Sequence, residues 1–202
     1  MRQLPVSARL YVSGIVLLAT VLAIVAVRHI EPSQWLSVFV LSCLVIASET
    51  ASLSLLRPGL VSTPISISTT MPVVLASYLI VGPWGAALTG LAMLADPTPL
   101  SLVKRTFNGA QLSLAGLAAG QTYLWLGGDL PLTRDSFPRA ILLVLVANLV
   151  FELVNMACVL GVVSLSEGVA PQRIWTGMMS QIALPAFVYS IFGLLLAVVW
   201  TS

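Results

Sequence analysis

Charge is what this chain has least of. Only 8% of its 202 residues are Asp, Glu, Lys or Arg, and the formal net charge is +2. A positive charge this small and this scattered excludes a nucleic-acid partner, which needs a clustered basic surface. Histidine is nearly absent too, with His29 alone. That leaves no Ser and His pairing and no HExxH helix; paired intramembrane aspartates and a Gly-rich phosphate loop are also missing. We therefore expect no enzyme activity, no metal site and no cofactor. The two cysteines, Cys43 and Cys158, sit inside apolar runs, where a thiol behaves as a small hydrophobe, so a disulfide framework is excluded as well.

Apolar residues fill the space that charge leaves. They make up 58% of the chain, and the mean hydropathy is +1.04. Repeated apolar runs of helical spanning length on that background imply a multi-pass membrane protein. The runs cover residues 10–27, 35–56, 68–81, 84–94, 107–126, 140–165 and 174–199. The expected fold is an all-α polytopic transmembrane bundle of six or seven helices, with 1–202 forming a single integral membrane domain. The first run resembles a signal peptide only superficially. It is long, and Arg28, His29 and Ile30 follow it in place of a small-residue cleavage site, so it reads as a retained helix.

The third and fourth runs are too short to cross a hydrocarbon core of roughly 30 Å at about 1.5 Å per residue. Gly82-Pro83-Trp84-Gly85 separates them, a strong signal that one helix stops and the next begins at once. They read as tilted short helices or as two arms of a re-entrant hairpin. Just before them, Ile65 and Ile67 alternate with Ser66 and Ser68, a period of two found nowhere else in the chain. A loop whose hydroxyls cap the next helix is the favoured reading; extended backbone lining a cavity is the other. Pro72 removes a helical donor and should free the Ser68 carbonyl.

In a seven-span arrangement Arg2, Arg9, Arg57, Lys104, Arg105 and Arg173 fall on one side and Arg28, Arg134 and Arg139 on the other. Six against three places the N-terminus in the cytoplasm, whereas merging the short arms into one span splits the charges five against four.

Against this background the buried acids stand out. Glu49 and Glu152 lie inside apolar runs, where a charge costs roughly 2.5 to 3.5 kcal/mol at a helix centre and so faces protein, a partner or water. Asn148, Glu152 and Asn155 are spaced by four and three, which places them on one helical face. They suit either a ligand or interhelical hydrogen bonds. Glu49 and Thr50, flanked by Ser48 and Ser52, form a second belt that we expect to face this stripe. Two ionised acids there would repel, so one stays protonated or pairs with Arg57 or Arg105. Asn108 and Gln111 follow Lys104 and Arg105, cations suited to an anion at a helix start but read first as topology anchors. Gly116 and Gly120 form a small-residue ridge for helix packing. Pro185 should kink the last helix near Gln181. The candidate ligand-binding residues are thus Glu49, Asn108, Gln111, Asn148, Glu152, Asn155 and Gln181, the carboxylates as acceptors or proton-linked groups and the amides orienting a polar ligand.

The opening MRQLPVSARLYV, the stretch STPISISTTMPVVLASYLIVGPWGAALTGLAM and the stretch KRTFNGAQLSLAGLAAGQTYLWLGG resemble the N-terminal membrane regions of bacterial signalling proteins that carry a cytoplasmic HD-type phosphohydrolase or diguanylate cyclase domain. The shared features are the Gly-Pro-x-Gly turn, the Phe-Asn-x-x-Gln helix start and the order of the segments. The resemblance implies a sensory or small-ligand-binding module in a bacterial cytoplasmic membrane, non-catalytic in this portion, with a cytoplasmic output domain as partner. The chain departs from that group by ending two residues after Trp200. A weaker resemblance is to the substrate-binding S components of energy-coupling-factor vitamin transporters, in which small residues such as Ala115 and Ala119 would dock a coupling subunit. A structural membrane subunit is the third reading, and a second copy of the chain is a further candidate partner besides the lipid bilayer. Reporter fusions at both ends test the charge count: a cytoplasm-only reporter on the N-terminus should be active, and the side of Ser202 then separates an even from an odd number of spans.

Overall fold

The computed structural model describes residues 4–50, 53–55, 65–67, 70–96, 100–130, 132 and 137–201; for Thr50, the strand residues and 177–186 it describes main chain only. Among these residues seven α-helices follow the seven apolar runs. They are α1 (Val6–His29), α2 (Trp35–Thr50), α3 (Thr70–Ile80), α4 (Pro83–Leu91), α5 (Leu102–Trp125), α6 (Phe137–Glu167) and α7 (Pro171–Thr201), with 3-10 turns at Pro32–Gln34 and Ala92–Ala95. Val6–His29, Pro32–Glu49 and Phe137–Glu167 are long and apolar enough to cross a membrane. The chain is a helical membrane protein on that ground.

One small element departs from the all-α expectation. β1 (Leu53–Leu55) pairs antiparallel with β2 (Ile65–Ile67), Leu53 opposite Ile67 and Leu55 opposite Ile65. The alternating stretch is therefore extended and paired where a capping loop was expected, because a ladder satisfies its amide groups locally. Ser52, Arg57 and Ser68, with the carbonyl that Pro72 should free, lie outside the described residues.

At the centre lies the short pair. Eight of the eleven residues of α3 are buried, Thr70 and Val73 through Leu79, as fits a helix that is apolar on every side. Gly82 ends it with φ 96° and ψ 178°, a backbone region open essentially to glycine alone. Pro83 then starts α4 at a position where its missing N–H costs nothing. α4 lies against α5 nearly backbone to backbone. A Cβ on Gly90 would stand 2.8 Å from Ser113 Cα, one on Gly116 2.9 Å from Val74 Cγ1, and one on Gly120 2.8 Å from Pro83 Cα. The Gly116 and Gly120 ridge is thus a packing surface, and the pairings run in opposite directions along the two helices.

Longer helices wrap this centre. In α1 the buried Val12, Ala19 and Ala26 recur every seventh residue, and so do the exposed Leu10, Leu17 and Ile24. Small residues face protein and large ones face outward, as in lipid, where packing rather than water exclusion drives association. The Tyr11 hydroxyl donates to the Ala157 carbonyl of α6 at 3.3 Å, and His29 stacks on Trp84 at the start of α4 with ring centroids 4.8 Å apart. Replacing Gly90 by alanine should lower stability by about 1–3 kcal/mol through overpacking. Gly14→Ala, whose new methyl meets nothing within 4 Å, should not destabilise. Thermal unfolding of both variants in detergent checks the pair.

Candidate functional site

α5 and α6 fix the depth of the polar groups. Arg139 Nη2 near the start of α6 donates to the Leu126 carbonyl just past the end of α5 at 3.4 Å, and Phe107, Cys158 and Val12 of α1 form one packed cluster at the other end. The two helices are therefore antiparallel, and Asn108 and Gln111 lie level with Glu152 and Asn155. Gln111 comes one turn after Phe107 on the same stripe of α5, the stripe that meets α6 and α1. Glu152 is the middle residue of the 31-residue α6, roughly 22 Å from either end at 1.5 Å per residue.

Glu152 is buried, with 6% of its surface exposed. The Asn155 amide, one turn on, hydrogen-bonds its carboxyl. That bond fixes the amide's orientation and leaves Asn155 Oδ1 buried without a hydrogen-bond partner, a state shared by Gln111 Oε1. Tyr189 of α7 lies within electrostatic reach of Glu152. On the same face Asn148 Nδ2 donates to the Ser190 hydroxyl, a short bond joining α6 to α7. The stripe thus splits by role: Asn148 clasps a neighbouring helix, while Glu152 and Asn155 present acceptors level with Gln111.

No family model, curated protein or solved structure matches the chain.

Glu49 belongs elsewhere. Thr70 Oγ1 at the start of α3 donates to Glu49 Oε2 at 2.8 Å, and Ser48 Oγ stands 3.1 Å from the same hydroxyl. Among the described residues Ser48 and Glu49 of this belt do not meet the α6 stripe as expected, because α2 packs on α3 and α4 while α6 packs on α1, α5 and α7. Glu49 and Thr70 instead close the two ends of the segment that carries the ladder. Asn108 is half-buried at the level of Asn155. Gln181 falls on α7, and its side chain, like the kink expected at Pro185, lies outside the described residues. Ala115 and Ala119 are fully buried, so they pack within the chain and do not form a face for a coupling subunit. At the start of α5, Ser101 Oγ accepts from Lys104 N–H at 3.4 Å, and Arg105 Nε donates to the Leu100 carbonyl at 3.2 Å, which fits anchoring better than anion capture.

Several buried polar residues went unnoticed in the sequence. Asp96 is wholly buried after the second 3-10 turn, and Tyr78 OH, Thr89 Oγ1 and Ser113 Oγ are buried without hydrogen-bond partners. Asp96 carried a signal, since acids are almost never fully buried unless paired. The hydroxyls carried none, because Ser, Thr and Tyr are ordinary residues of membrane helices. A double-mutant cycle on Asn148→Ala and Ser190→Ala should return a coupling of about 0.6 to 2 kcal/mol, the range of interhelical hydrogen bonds in bilayers.

Proposed function

We propose that the chain is a multi-pass protein of six or seven spans in a bacterial cytoplasmic membrane, and that it binds a small polar ligand beside the middle of α6, where α1, α5 and α7 pack on that helix. The observation that carries this reading is the set of acceptors at mid-helix: Gln111 Oε1 and Asn155 Oδ1, buried without partners and level with the Glu152 carboxyl. A buried unsatisfied amide oxygen costs roughly 1–3 kcal/mol, so a bound group that satisfies it recovers that cost.

The role is recognition, with no catalysis in this portion. His29, the only histidine, stacks on Trp84 at the end of α1, and no nucleophile and base pair accompanies Glu152 in the sequence. A sensory module feeding a cytoplasmic output domain fits this reading best. A vitamin-binding transport component would share the site but needs a coupling subunit docked elsewhere than at Ala115 and Ala119.

Alanine replacement tests the site. Glu152→Ala and Asn155→Ala should abolish stabilisation by ligands extracted from the native membrane while Asn148→Ala chiefly lowers stability. If all three lower stability and leave every ligand-dependent signal intact, the site reading fails and a structural subunit remains.

A further inference from the structure

We propose that the ligand of this site carries a single positive charge with N–H donors, that is, a protonated amine. The inference rests on the binding reading above and narrows it to a chemical class. The acceptors that the described residues offer at this depth are the Glu152 carboxyl, Asn155 Oδ1 and Gln111 Oε1; the donors there, the Gln111 amide nitrogen and the Tyr189 hydroxyl beside the acid, are neutral and leave the charge of a carboxylate unmatched. The amide donors of α6 are already engaged, Asn155 with Glu152 and Asn148 with Ser190. Gln111 is itself only 9% exposed, so its oxygen is not merely turned toward solvent.

The middles of the helices around the acid supply no balancing charge. Between Thr106 and Trp125 α5 has no Lys, Arg or His; neither does α1 between Leu10 and Val27, α6 beyond Arg139, nor α7 beyond Arg173. This covers 177–186 as well, since that stretch of α7 reads GMMSQIALPA and contains no cation whatever its side-chain directions. A buried carboxylate is tolerated when a positive partner and hydrogen bonds meet it. An ammonium group supplies one charge and three donors, matching one carboxylate and two neutral oxygens. A divalent ion fits poorly, because it asks for several carboxylates or histidines, and among the described residues no group of three His, Cys, Asp or Glu comes together.

The test uses the full chain in lipid nanodiscs and three probes that share one ring and differ in head group: benzylammonium, benzyl alcohol and benzoate, with sodium chloride as the ionic control. Benzylammonium should raise the melting temperature by several degrees when present at about a hundredfold over its Kd, and the other three should not. Glu152→Gln, which keeps the shape and removes the charge, should weaken that binding about tenfold or more. Gln111→Leu should weaken it too, and it carries the test should Glu152→Gln not fold.

If benzyl alcohol or benzoate binds in a Gln111-dependent way and benzylammonium does not, the charge assignment is overturned and the binding reading stands. Sodium chloride reproducing the full shift overturns the amine in favour of an alkali ion. Benzylammonium binding that survives both substitutions overturns the location. If no probe binds and both variants melt above the parent protein, the amine proposal and the binding reading fall together.

Discussion

Close approach of backbones around the α3 and α4 pair is the constraint on which the rest of the structure depends. In a bilayer, apolar surface gains nothing by leaving lipid, so helices associate through contact area and hydrogen bonds. Gly90, Gly116 and Gly120 provide that area by letting α4 and α3 reach the main chain of α5. Two helices too short to span can persist at the centre only because longer helices surround them. Gly82, with its positive φ, folds one back onto the other.

The polar groups follow from this packing rather than compete with it. Once α5 is fixed against α4 by its glycine face, its remaining faces must meet α1 and α6, and the Phe107 stripe brings Gln111 to the depth of Glu152. The Asn148 and Ser190 bond holds α7 to the other flank of α6. The acid therefore lies on a helix that packs on both α5 and α7, and its position is a by-product of two separate seams. Glu49 belongs to another seam, where Thr70 and Ser48 hold the end of α2 to the start of α3.

Much of this architecture was legible from residues. The seven apolar runs became seven helices because run length and the Gly82-Pro83 break are local signals that no tertiary contact overrides. Helix limits were less legible: α5 begins at Leu102, ahead of the apolar run at Phe107, because Ser101 caps it and the cations of its first turn are tolerated at a membrane edge. The site was legible in part. Spacing alone put Asn148, Glu152 and Asn155 on one face, but it could not say which neighbour each would meet, and so Glu49 was expected across from them. That choice depends on helix order around the bundle, which short-range patterns do not encode. Thr89, Ser113 and Tyr78 gave no signal at all, being ordinary residues of membrane helices.

The seam between α4 and α5 also has a mechanical side. Sliding one helix along the other by a residue would carry a side chain into the space reserved for a hydrogen atom at Gly90 or Gly120, so the two must move as one stiff strut.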